Sequence, residues 1–159
     1  KTKIDINQTA HAVADLLEFD AREQGAVISL DLDENVSLAV ADSIQIEQVI
    51  LNLAANGLEA MHANGGEPKL VTICTAQRKG DMVEVAVSDT GPGISRDILD
   101  TIFDPFVTTK PQGLGMGLSI SRSIIETHGG RLWAASNNGK GTTFAFTLPV
   151  SADSESRDE

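Results

Sequence analysis

Two asparagines one helical turn apart, an aspartate ending a valine-rich strand, and two glycine-rich turns have the types and spacing to do chemistry. Asn52 and Asn56 lie in QVILNLAANGLEAM. At helical spacing, Ile46, Val49, Leu53, Gly57 and Ala60 share one stripe, and Gln45, Gln48, Asn52, Asn56 and Glu59 run beside it. Both asparagines therefore flank the buried face and can point into a pocket edge. An amide oxygen there is a hard ligand suited to Mg²⁺, which keeps several waters and takes few protein groups. On the helix alone, two solvated amides are the simpler account.

In VEVAVSDTGPGI, Val83, Val85 and Val87 share a strand face, and Asp89 has their parity. A carboxylate on a buried face is costly unless it gains a donor, and the exocyclic amine of adenine is one. Gly91 and Gly93 let the backbone approach a ligand closely. The same residues also form an ordinary Asx turn closing a strand.

In GLGMGLSISRSIIETHGG, the glycines at 113, 115 and 117 lead straight into a helix, whose free N–H groups make a natural phosphate cradle. The core stripe of that helix is Leu114, Gly117, Leu118, Ser121, Ile124, Ile125 and His128. The spacing is neither the dinucleotide fingerprint nor a Walker A loop. In TTFAFTLP, Thr142 shares the parity of Phe144, Phe146 and Leu148, so it faces inward and can reach a ligand beside Asp89; a local backbone bond is its plainer use. Lys110 is the one basic residue between Arg96 and Arg122, which makes it a candidate phosphate contact in an acidic chain. His11, His62 and His128 read as structural, without metal-ligand spacing to a Cys or carboxylate, and Trp133 and Cys74 are expected in the core.

The elements that must position these groups follow from periodicity. A helix is expected over residues 4–24, strands over 28–32 and 38–41, and a helix capped by Asp42 or Ser43 to about Met61. Strands over 70–76 and 82–89 turn at Gly80–Asp81. Residues 90–114 read as a long loop, a functional lid. A helix over 115–128 and a closing hairpin of 131–136 and 142–148 follow. The expected fold is an α/β two-layer sandwich, a mixed, mostly antiparallel sheet with helices on one face. Residues 1–150 form one domain, and 151–159 a disordered acidic tail.

Bulk properties narrow the function. The 159 residues, 41% of them hydrophobic, suit a single domain. A net charge of −11 leaves no basic face for nucleic acid and requires local positive features for any nucleotide. No apolar run spans a bilayer, so no membrane contact by this domain is expected. The single Cys74 fits a reducing, cytoplasmic location, with membrane anchoring of a longer parent protein left open.

In this order, QVILNLAANGLEAM, DTGPGI, IFDPFVTTK and GLGMGL resemble the N, G1, F and G2 boxes of sensor histidine kinases, with FVTTK and SISRSIIETHGGRLW most like the oxygen-sensing and nitrogen-regulation type. The resemblance runs from about Asn7 to Pro149. It implies the Bergerat-type ATP-binding fold shared with gyrase B and MutL-type ATPases, with ATP and Mg²⁺ as ligands. It further implies that Asn56 coordinates Mg²⁺, that Asn52 and Lys110 serve the phosphate side, and that Asp89 bonds the adenine amine, with Gly91, Gly93 and Ile94 along the base. Phe103 and Phe106 would anchor the lid, with Thr109 near the phosphates; Gly113, Leu114, Gly115, Met116, Gly117 and Leu118 would bound the triphosphate, and Thr142 would stand beside Asp89. One departure is Glu59 and Ala60, where many such kinases carry a basic and then an aromatic residue.

The implied reaction is transfer of the γ-phosphoryl group of ATP to a histidine on an upstream dimerisation helix, for relay to the receiver domain of a response regulator. The related hydrolases place a glutamate where this chain has Asn52, and an amide cannot take a proton from water. None of the three histidines is followed by an acidic residue, so the acceptor is expected on another domain, the fragment as a monomer and its parent as a homodimer. A nucleotide-binding pseudokinase module and an anti-sigma-type serine kinase are the competing readings; the intact glycines and the F box count against them.

Overall fold

Alternation of apolar and polar residues builds the sheet. In the computed structural model, which describes residues 1–63 (without the side chains of 62 and 63), 68–104, 117–137 and 140–150, strands β1 (Thr2–Ile4), β2 (Val27–Asp31), β3 (Ala39–Ala41), β4 (Leu70–Arg78), β5 (Met82–Asp89), β6 (Leu132–Ser136) and β7 (Thr142–Pro149) are interleaved with four helices. Helix α1 spans Ile6–Glu23, α2 Ser43–Ala63, α3 the single turn Arg96–Leu99, and α4 Gly117–Thr127. The main sheet has the order β2-β4-β5-β7-β6, parallel only between β2 and β4. The expected sandwich is therefore what forms, and β1 pairs with β3 in a small separate sheet that periodicity did not reveal.

One face of the main sheet carries Val71, Ile73, Val83, Val85, Phe144, Phe146 and Leu148, all buried. Against it pack Ile6, Ala10, Val13 and Leu17 of α1, the wide apolar side of α2, and Ile125 of α4. Each fully buried large side chain contributes about 1.5–3 kcal/mol. Helix α2 buries Ile46, Val49, Leu53 and Gly57 of the expected stripe, leaves Ala60 half-buried, and buries Ile50, Ala54, Leu58 and Met61 as well. It lies between α1 and α4 while also covering the sheet, so three sides are enclosed.

Trp133 and Cys74 do not join this core; both are only partly buried. Trp133 pairs with Ala145 and Cys74 with Ala86, which puts them on the opposite sheet face, where Arg131 lies 5.3 Å over the indole. Alternation had placed them in strands correctly, but which face the helices cover is not a local property. Two side-chain caps start the long helices α1 and α2. Asp5 Oδ1 accepts from Asn7 N at 3.0 Å, and Asp42 Oδ1 accepts from Ile44 N and Gln45 N at 3.0 and 3.1 Å.

The second cap is tied to α4. His128 is buried; its Nε2 accepts from Asp42 N at 3.1 Å, and its Nδ1 donates to Ile124 O at 2.7 Å. The expected interior histidine thus joins the start of α2 to the end of α4. The turn at Gly80–Asp81 is as expected, both residues having positive φ, 78° and 57°. The expected loop over 90–114 contains α3, and its part beyond 104 lies outside the described residues, as does the tail 151–159.

Candidate functional site

Strand β5 ends on Asp89, which faces the helices as its parity requires and is 8% exposed. Its Oδ1 accepts from Gly91 N at 2.9 Å and from Thr142 N at 3.3 Å; neither bond uses Oδ2. Burial pushes its carboxyl above the usual carboxylate value, and the two backbone N–H groups oppose that shift.

Around this carboxylate the wall is backbone. Gly57, in mid-helix on α2, faces it: a Cβ there would stand 3.2 Å from Asp89 Cβ and 3.5 Å from Oδ2. A Cβ on Gly91 would stand 3.1 Å from Oδ1 and 3.4 Å from Ala60 Cβ. Gly141, with φ of 117°, passes so close that a Cβ would overlap the Asp89 carbonyl. Thr142 is buried beside Asp89 as anticipated, but its contact is made by the main-chain N–H. Beyond the strand, Thr90 Oγ1 accepts from Leu70 N and donates to Pro68 O at 2.7 Å, which ties down the turn. Gly93 has φ of 85°, a conformation that favours glycine, and Ile94 N donates to Ser136 Oγ at 3.3 Å.

One turn and two turns back along α2 from Ala60 stand Asn56 and Asn52, both half-buried. Asn52 Nδ2 donates to Ser121 Oγ of α4 at 3.2 Å. The first residue of α4 lies against the same amide: a Cβ on Gly117 would stand 2.8 Å from Asn52 Oδ1. Leu118 is half-buried against the core. Phe103, ahead of the undescribed stretch, packs edge-on to Phe144 with ring centroids 6.1 Å apart, and the Arg122 guanidinium lies 5.7 Å over it.

Of the site residues expected from sequence, Asp89, Gly91 and Thr142 meet at one end and Asn52 and Gly117 at the other; Gly93 and Ile94 follow Gly91 along the chain toward Ser136, Asn56 stands one turn from Asn52, and Leu118 packs on the core. Phe106, Thr109, Lys110, Gly113, Leu114, Gly115 and Met116 lie outside the described residues. Gly57, Ala60, Gly141 and Ser121 were not anticipated as site residues. A glycine in mid-helix and a serine on an apolar stripe were the available signals; nothing local marked Gly141.

Among the described residues, no group of three His, Cys, Asp or Glu could hold a metal ion. The amide oxygens of Asn52 and Asn56 are hard donors of the kind that suit Mg²⁺, which binds few protein groups. The glycine-walled carboxylate fits a flat ligand carrying an N–H donor. Cys74, whose thiol is pushed up by burial and then by Asp31, stands apart on the other sheet face.

A family model, described as histidine kinase-, DNA gyrase B- and HSP90-like ATPase, matches residues 41–152. The sensor protein FixL of Bradyrhizobium diazoefficiens is 51% identical over 130 residues, covering 82% of this chain and 25% of its own length. ShkA, solved full-length in complex with AMPPNP, superposes with a TM-score of 0.83 at 29% identity, over 93% of this chain and 30% of its own. The catalytic domain of the histidine kinase ThkA superposes with a TM-score of 0.81 at 36% identity, over 93% of this chain and 94% of its own. ThkA in complex with the response regulator protein TrrA gives 0.78 at 32% identity, over 94% and 42%. The chain spans about a quarter of the length of FixL. With four boxes in order, the sandwich fold and the inward Asp89 in its glycine cradle, the chain belongs to the histidine kinase-, DNA gyrase B- and HSP90-like ATPase family, as a catalytic ATP-binding domain of the sensor histidine kinase kind.

Proposed function

We propose that this chain binds Mg²⁺-ATP and passes the γ-phosphoryl group to a histidine on a dimerisation helix of its parent protein, from which a response regulator receives it. The observation that carries this reading is the buried Asp89, whose Oδ1 is held by two main-chain N–H groups while Oδ2 takes part in neither bond. Oδ2 is the acceptor for the adenine amine, and Gly57 and Gly91 keep side chains out of the plane of the base. Asn56 supplies an amide oxygen to the metal, and Asn52 supports the phosphate side with Lys110. Bound Mg²⁺-ATP supplies the activated phosphoryl group and neutralises its charge; the protein contributes positioning.

Asn52 has no basic atom with which to activate water, which favours transfer over hydrolysis. The acceptor belongs to another domain: His128 has both ring nitrogens occupied, and His11, exposed on α1, and His62 are followed by Ala12 and Ala63 rather than by an acidic residue. The domain acts as a monomer on a homodimeric parent. The compartment that goes with this reading is the cytoplasm, which supplies ATP and in which Cys74 stays a thiol.

Mixed with the histidine-bearing domain of its parent and labelled ATP, the chain should yield an acid-labile, base-stable phosphoprotein. Asn56→Ala should abolish the label while leaving the fold intact by circular dichroism. Labelling of one of its own histidines, or brisk hydrolysis of ATP by the chain alone, would overturn the reading.

A further inference from the structure

Ser121 stands one turn into α4 from Gly117, on a stripe whose other described members are largely apolar, and is 3% exposed. A buried hydroxyl is costly without a partner, and the partner here is the Asn52 amide at 3.2 Å. That amide is enclosed from two sides. Ser121 holds its Nδ2, and the space where Gly117 lacks a side chain lies 2.8 Å from Oδ1 and 3.1 Å from Nδ2. A helical serine readily gives its own proton to a carbonyl one turn back, leaving its oxygen as an acceptor. An acceptor at Ser121 selects one of the two orientations of the Asn52 amide: Nδ2 inward, Oδ1 toward the first turn of α4.

We infer that Ser121 is a positioning residue for the phosphate end of the nucleotide site, acting through Asn52. It sets the amide so that the oxygen faces the end of α4 where backbone N–H groups lack helical partners. One of the two amide hydrogens is taken by Ser121, which holds the nitrogen on the α4 side. At the other end of α4, His128 holds the Asp42 cap, so the two helices are tied both at the site and away from it. Ser121 touches no ligand. Its effect is confined to ligands that reach Asn52, and the inference rests on the phosphate-side role given to Asn52 under Proposed function.

The test is calorimetry on the whole chain with Mg²⁺-AMPPNP and, separately, adenosine. Ser121→Ala should weaken AMPPNP by about fivefold to tenfold, the range for one hydrogen bond lost, and change adenosine by less than about twofold. Ser121→Thr, which keeps the hydroxyl, should restore most of the AMPPNP affinity. In a double-mutant cycle, Asn52→Ala with Ser121→Ala should be no worse than Asn52→Ala alone. Equal losses for both ligands, additive losses in the cycle, or no loss in Ser121→Ala overturns the inference and leaves the function standing. A wild-type chain that binds neither ligand overturns both. A measurement on the wild type guards against misfolded variants. The Asn52 side-chain amide protons should exchange more slowly than those of exposed Asn35, and equal rates would overturn the inference.

Discussion

The two ends of the site are made of different material. Around Asp89, backbone does the work: Gly57, Gly91 and Gly141 come from three separate segments and bring main chain where any side chain would intrude. Around Asn52, side chains take the larger part: an amide and a hydroxyl on two helices share one hydrogen bond, and Gly117 brings main chain only against the end of the amide side chain. Backbone close to a buried carboxylate leaves no room for adjustment, because protein interiors are packed to crystal-like density. A single hydrogen bond between side chains can be weakened by degrees. The base end should therefore fail abruptly under substitution and the phosphate end gradually.

Gly141→Ala should show the largest effect. The added Cβ would overlap the Asp89 carbonyl, and φ of 117° is itself unfavourable for alanine. A loss of at least about 3 kcal/mol is expected, read by denaturant unfolding, together with loss of adenosine binding. A stable variant with unchanged binding would break the contrast between the two ends.

Asp89→Asn should separate affinity from stability. Losing a hydrogen bond to a charged acceptor costs about 1.5–3 kcal/mol, or roughly tenfold to a hundredfold in nucleotide affinity. Stability should move the other way. Burial raises the carboxyl of Asp89 in the folded chain, so the folded state holds that proton more tightly than the unfolded state. The stability Asp89 contributes is therefore fully present below the ordinary carboxylate pKa and is lost as pH rises through the raised one. Thermal melting of the unliganded chain should shift in favour of Asp89→Asn across that window and then level off. Wild-type affinity for adenosine should rise over the same window as the carboxylate ionises. A stability difference between the two chains that does not change with pH would remove burial as the cause.

The smallest effect belongs to Phe103→Leu. It removes the edge-on contact with Phe144 and the Arg122 guanidinium over the ring. A destabilisation of about 0.5–1.5 kcal/mol beyond the change in buried area is expected, with adenosine binding unchanged. Weakened adenosine binding in this variant would mean that the two ends are coupled more tightly than their construction implies.

Much of this is legible in the sequence. The inward aspartate followed from counting by two along β5, and the neighbouring asparagines from counting by 3.6 along α2. The interior position of His128 followed in the same way. These are local periodicities, and the chain alone determines them. The family resemblance then joined four separated boxes that no single periodicity connects.

What the tertiary structure decided are the meetings between distant segments. Gly141 reaches the Asp89 carbonyl because β7 pairs with β5, and that pairing is a property of the sheet order. Asn52 meets Ser121 across 69 positions of sequence, and Asp42 meets His128 across 86. Trp133 and Cys74 fall on the face away from the helices because alternation creates two equivalent faces and only the packing of helices distinguishes them. Side-chain direction along one element is set by bond geometry within a few residues. Contact between elements is set by the single arrangement that buries all their apolar faces at once, and no local stretch of sequence carries that information.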